Sequence, residues 1–275
     1  MTTCPKKPDR SARGDLLFGA RNRRQSLSLG EARNIYNAAC AQIAAALAQD
    51  GFDYRPSEHT LMRRDGDFTR EISFQSSFRN FTLPEQGTGV LQKAASLLPL
   101  IGETATFGSV TLIAHSGVRS KAFKLWRASQ KYPLGSDDLI TGGQIGNLQA
   151  KPKWLEFNLA NPQRRDRVIT EVVELIRTIA LPYLARFANP QEVIAGLIGG
   201  TMPWWWEPSA LEYVARFGAP TQARELLVRY VTIRPGQEKE FRERIDEYRK
   251  QGVPEAFDSR AAGRLAKAAL ALGLE

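Results

Sequence analysis

GFDYRPSEHTLMRRDGDFTREISFQSS, residues 51–77, is the stretch from which the fold of this chain is read. Thr60-Leu61-Met62-Arg63 and Phe68 to Ser76 flank Asp65-Gly66, and Asp-Gly is a strong hairpin-turn signal because both residues tolerate positive φ. On the second strand Phe68, Ile72 and Phe74 alternate with Thr69, Glu71, Ser73 and Gln75, the period-2 pattern of a strand with one buried face. Arg70 interrupts the apolar face, which predicts a solvated outer end of the hairpin. Gln75 is a polar residue in an apolar run, and if its face is buried it needs backbone partners from a neighbouring loop.

Upstream, the period changes. Ile35, Ala39, Ile43 and Leu47 recur every four residues with Cys40 and Ala46 beside them, which predicts one buried helical face. Ser28-Leu29-Gly30-Glu31 has the spacing of a capping box, placing the helix start at Ser28, and Gly51 suits the left-handed position after the last turn. Residues 1–27 are rich in Lys, Arg, Ser, Pro and Gly and read as a flexible basic arm.

Downstream, residues 88–98 read as a short helix and Phe107 to Ala114 as a third strand. Residues 133–150 read as loop-rich, and Trp154 to Leu159 as a fourth strand. Helix then dominates. Asn161-Pro162 supplies a start signal, Val168, Val172, Leu175, Ile176 and Ile179 form an apolar stripe, and Pro182 is expected to kink or end it. Asn189-Pro190, Pro208-Ser209, Pro220-Thr221 and Pro235-Gly236 open further helices. The resulting expectation is an α+β protein, a small antiparallel sheet packed with helices and followed by a mostly helical C-terminal half. Its parts are the arm (1–27), a sheet domain (28–188) and a helical region (189–275), which can belong to the same domain.

Composition bounds the function. The 275 residues are 43% hydrophobic, enough for a core, and no window approaches the roughly 18 uninterrupted apolar residues of a membrane span. The N-terminus lacks the apolar middle of a signal peptide, so cytoplasmic residence is expected. Cys4 and Cys40 are the only cysteines, and with His59 and His115 they do not make a conventional zinc site. The net charge of +9 is concentrated at the start, since residues 1–30 hold seven Lys/Arg against two Asp/Glu. The remaining body is nearly neutral, which is weak support for a nucleic-acid groove.

Four features occur in a suggestive order: the helix ending in Gly51-Phe52, Arg64 followed by Ile72-Ser73-Phe74-Gln75-Ser76-Ser77, Ile145-Gly146-Asn147-Leu148 followed by Trp154, and Leu181-Pro182-Tyr183-Leu184 on a helix. Together, over roughly residues 31–188, the chain resembles the uncharacterised bacterial family called domain of unknown function 4304. The resemblance implies a small α+β sheet domain and, from members beside toxin or mobile-element genes, an immunity or defence-associated role. It supplies no active site.

Two stretches are candidate working surfaces. Trp204-Trp205-Trp206 lies between prolines, and three consecutive tryptophans cannot all point into one core. One or two are candidates to anchor a protein partner, while the plainer reading has them fill the seam between sheet and helices. Residues 119–132, RSKAFKLWRASQKY, carry Arg119, Lys121, Lys124, Arg127 and Lys131 around Trp126 and contain no acid. That mixture suits phosphate contact with base stacking. It also suits an ordinary amphipathic helix with Ala122, Leu125 and Trp126 inward.

Other motifs are weaker. Gly142-Gly143-Gln144-Ile145-Gly146 lacks the lysine of a P-loop and reads as a turn before a strand. Ser116 beside His115 has no nucleophile elbow around it. Asp65/Asp67 and Asp137-Asp138 read as turn residues rather than a cation site.

The leading expectation is a non-enzymatic, cytoplasmic protein-binding factor with no cofactor. The alternative is a nucleic-acid-binding protein using 119–132 and the arm, and a hydrolase or nuclease ranks last.

Overall fold

The computed structural model describes residues 15–77, 80–82, 107–130, 137–149, 151–204, 206–254 and 258–275, with side chains from Gly30 onward except that of Phe81. The protein is α+β, with a small antiparallel sheet and helices concentrated in the C-terminal half. The chain divides into two compact units that interleave along the sequence: residues 1–42, 76–112 and 156–170, and residues 43–75, 113–155 and 171–275.

Helix α1 runs from Asp15 to Leu47, so it begins upstream of the Ser28 capping box; the first fourteen residues of the basic arm lie outside the described residues. Its buried positions are Ala32, Tyr36, Ala39, Cys40, Ile43, Ala44 and Leu47, close to the expected stripe, while Ala46 is exposed. Burial pushes the Cys40 thiol up to about 12, so it is an inert apolar filler. One 3₁₀ turn follows, and Gly51 closes it at φ 80°, ψ 25°.

In the first unit, β4 (Phe81–Thr82) pairs with β5 (Gly108–Ser109), and the start of β6 (Thr111–Arg119) pairs with β8 (Phe157–Asn158). Asn80 Oδ1 accepts from the Thr111 amide at 2.9 Å, and Asn158 Oδ1 accepts from the Val110 amide at 3.1 Å. The fourth strand is thus two residues rather than six. The helix expected over 88–98 lies outside the described residues.

In the second unit, β1 (Asp53–Arg55), β2 (Thr60–Asp65), β3 (Phe68–Ser76), β6 and β7 (Leu139–Gln144) lie side by side in that order. The hairpin turn is not Asp65-Gly66. Asp65 pairs with Phe68, so the loop residues are Gly66 and Asp67, and only Gly66 has positive φ, the pattern of a type II′ turn. Ile72 and Phe74 are buried as expected and Gln75 is exposed. Arg70 is buried as well, so the expectation of a solvated outer face is wrong at that residue.

Strand β7 corrects a second expectation, because Gly142-Gly143-Gln144 is a strand and not a turn. Its glycines pair with Gly117 and Ser116 of β6. A Cβ at Gly117 would lie 2.7 Å from Glu71 Oε1, so bare backbone there makes room for the Glu71 carboxylate.

Helix α2 (Lys121–Ala128) is capped by Ser120, whose Oγ accepts from the Phe123 amide at 3.0 Å. Helix α3 (Arg165–Leu175) starts after an Asn161 turn rather than at Pro162. Pro182 does not end the helical path. A π turn, Ile176–Ala180, leads directly into α4 (Leu181–Ala185), where Pro182 sits in the first turn and its missing N–H costs little.

The remaining helices follow the proline signals: α5 (Pro190–Gly199), α6 (Glu207–Phe217), α7 (Pro220–Thr232), α8 (Gln237–Gln251) and finally α9 (Ala261–Leu272). Helix α6 packs on β7, α2, α7 and α9, and α8 packs chiefly on α9. Asn189 Oδ1 accepts from the Gln191 amide at 3.1 Å and caps α5. Asn189→Ala is therefore expected to lower stability by about 1 kcal/mol, read as a shifted urea midpoint with unchanged slope.

Candidate functional site

The tryptophan run splits its directions. Trp204 is half-buried, donates from Nε1 to Ser209 Oγ at 2.9 Å, and packs its ring against Phe187 and Tyr213 at 5.9 and 5.6 Å. Trp206 is 39% exposed with the Arg264 guanidinium 4.7 Å above its ring. Trp205 lies outside the described residues.

The basic segment is also divided. Phe123 and Arg127 face inward on α2, and Leu125, expected inward, is 71% exposed. Arg127 is buried, donating from Nε to Glu212 Oε2 at 2.5 Å and from Nη1 to the Leu139 carbonyl at 2.7 Å and Asp137 Oδ1 at 3.2 Å. Its place on an exposed basic face is therefore corrected: its charge is used inside the protein. Arg119 donates to Glu71 and Asp138, both at 2.7 Å. The hydrogen bond to Glu71, reinforced by that to Asp138, holds its pKa above the ordinary arginine value despite partial burial. Lys121 and Lys124 are exposed, Trp126 is half-buried, and Lys131 lies outside the described residues. Asp137 and Asp138 thus each face an arginine.

His115 is half-buried with its ring edge-on to Trp154 at 6.3 Å, and burial lowers its pKa. Ser116 Oγ is buried on the next residue of the strand, so the two side chains leave opposite sides of the sheet. They do not form a nucleophile–base pair. Among the described residues, no three His, Cys, Asp or Glu side chains cluster as metal ligands, and no helix is long and apolar enough to cross a membrane.

A site that composition did not single out lies within the second unit. A cavity of about 420 Å³ is lined on one side by Arg63, Arg70, Arg177 and Asp50, and on the other by Phe52, Leu181, Pro182 and Leu184. The ladder sets Arg63 directly opposite Arg70, and residues so paired project from the same face. Like charges in that relation repel.

Arg70 is only 5% exposed. Its Nη2 lies 2.8 Å from Asp65 Oδ2 as an ion pair, outside hydrogen-bond geometry, and its Nε has no protein acceptor. Burial, followed by the repulsion of Arg63, pulls the Arg70 pKa down, partly offset by Asp65. Arg177 comes from the π turn and donates to Asp50 Oδ2 at 3.2 Å and to the Ala46 carbonyl at 2.7 Å. Arg63 donates only to the Asp50 carbonyl, at 3.3 Å.

Three guanidinium groups thus face two carboxylates, Asp50 and Asp65. One positive charge is left over at a cavity whose deepest cation has an idle donor. Comparison with known proteins adds nothing to this: no family model, curated protein or solved structure matches the chain. The geometry stands alone. Sequence reading noticed Arg70 as an interruption of the apolar alternation, and that interruption was the available signal.

Proposed function

We propose that this chain is a non-enzymatic binding factor for another protein, and that an anionic group of the partner seats in the Arg63–Arg70–Arg177 cavity. The observation that carries the reading is the buried Arg70 guanidinium with an Nε that no protein atom satisfies. A buried donor without an acceptor costs about 1–3 kcal/mol, more for a charged group, and an incoming anion removes that cost. The apolar wall supports a ligand larger than a bare ion, since about 300–1,000 Å³ is the usual span of small-ligand cavities. The nucleic-acid alternative has less support, because Arg119 and Arg127 of its proposed basic face are already paired with carboxylates.

The test is affinity capture from extracts of the source cells with crosslinking. Arg63 and Arg177 lie at the surface, so a double Arg63→Glu/Arg177→Glu variant is expected to keep its fold by circular dichroism. The wild type should retain a stoichiometric protein crosslinked at the cavity rim, and the variant should lose at least tenfold of it. Capture of no such protein, or equal capture by both forms, defeats the proposal. Nucleic acid recovered in its place, with affinity falling steeply in salt, would install the alternative.

A further inference from the structure

Resting on that reading, we infer that the group held in the cavity is a single carboxylate carried on a branched or aromatic apolar body, as at the C-terminus of a chain ending in a large hydrophobic residue.

Charge comes first. The cavity and its immediate partners present three arginines and two aspartates, so one negative charge completes the set. A phosphate dianion would overshoot it and would meet the Asp50 carboxylate, which lines the same cavity. A monoanion does not. Geometry agrees, because a guanidinium presents parallel N–H donors that match the two oxygens of a carboxylate. Arg70 keeps Nε idle, and Arg63 opposite it spends a donor only on the Asp50 carbonyl at 3.3 Å, a long bond.

The far wall then decides what the carboxylate is attached to. Phe52 and Leu184 are buried, and Leu181 and Pro182 complete an apolar surface facing the cations. Acetate would leave that surface wet. A carboxylate bearing an isobutyl or benzyl group would cover it and gain the hydrophobic contribution of its side chain. The π turn bears on this as well. It supplies Arg177 and sets Leu181 one turn later, so the cationic and apolar walls come from one continuous helical path.

The test uses the purified full chain and small probes, followed through the arginine side-chain Nε–H signals in NMR. N-acetyl-leucine should move the Arg70 signal downfield and saturate, while N-acetyl-leucinamide, which lacks the charge, should leave it unmoved. Acetate and inorganic phosphate should each need at least a tenfold higher concentration. Arg70→Lys, which keeps charge but loses the fork, should weaken N-acetyl-leucine at least tenfold, and Arg177→Gln should weaken it severalfold in a chain whose fold is checked by its amide spectrum.

4-Methylpentanoate separates the sources of the same chemistry: weaker binding than N-acetyl-leucine supports a chain terminus, and tighter binding supports a free small acid. Phosphate saturating below N-acetyl-leucine, or equal binding of the amide, overturns the inference. So does the absence of any saturable shift. Success here together with failed protein capture would keep the ligand class and remove the protein partner, so the two ideas fail separately.

Discussion

Glu212→Ala should destabilise the protein by about 3–5 kcal/mol, measured by urea unfolding, because it strands a buried guanidinium. The Arg127 and Glu212 side chains are 4% and 3% exposed, and Arg127 Nε donates to Glu212 Oε2. With Glu212 gone, Arg127 keeps only the half-distant Asp137 and the Leu139 carbonyl. The reverse truncation, Arg127→Met, is expected to cost less. A carboxyl can take up a proton to become neutral, whereas a guanidinium cannot shed one near neutral pH.

Replacing both, as Arg127→Met/Glu212→Leu, should recover much of the loss, since an apolar pair removes both desolvation penalties. Equal costs for the two single changes, or additive loss in the double, would contradict this account.

The same carboxylate gives the protein a pH signature. Burial pushes the Glu212 pKa up to about 7, against a smaller opposing pull from Arg127 and a further upward push from Asp137. Between the ordinary carboxylate range and that value, the folded state holds a proton that the unfolded state has lost. Stability therefore falls as pH rises through this window, with a slope of at most about 1.4 kcal/mol per pH unit from this group. Glu212→Gln should flatten the slope, and an unchanged profile in that variant would assign the dependence to other groups.

The second large effect is expected at Phe187, whose truncation to alanine should cost about 3–5 kcal/mol. Phe187 has no exposed surface and sits among the rings of Tyr183, Tyr213 and Trp204, with centroids 5.6, 5.8 and 5.9 Å away. Two of these contacts are edge-on, the preferred aromatic arrangement. The cluster continues from Tyr213 to Phe217, and from Phe217 to Phe68 and Phe123, which ties β3 and α2 to α6. A cavity at Phe187 cannot collapse without moving several large rings. Phe187→Leu should cost clearly less, because it keeps most of the volume. A loss below about 1 kcal/mol for the alanine variant would mean that the cluster relaxes freely.

Much of the fold can be read directly from the sequence, and the reasons are local. The hairpin pattern of β3, the left-handed Gly51 and the proline-opened helices are each set by a few neighbouring residues, and each lies where its signal places it. Strand β7 was hidden because glycines carry no alternation. They are in a strand for the sake of their partners: Gly117 and Gly142 oppose one another, and the Glu71 carboxylate occupies the space beside Gly117.

The candidate site was hidden by one residue of register. With Asp65-Gly66 at the centre of the turn, Arg63 would oppose Phe68; with Gly66-Asp67 there, it opposes Arg70. Arg177 enters the site from more than a hundred residues later in the chain, which no local pattern announces. The inward Arg127 was hidden for a related reason, since its carboxylate partner Glu212 comes from α6.

The wide turn at Ile176–Ala180 behaves like a phase shifter in the helical path. Removing one residue within it would restore ordinary winding and rotate everything that follows by about 100° against everything before. Val172, Val173 and Ile176 on the near side, and Leu184 and Phe187 on the far side, would no longer share a common inward direction. The chain length of this one segment is thus a setting in itself: substitutions there adjust chemistry, but a deletion would change which face of the helix the protein turns toward its core.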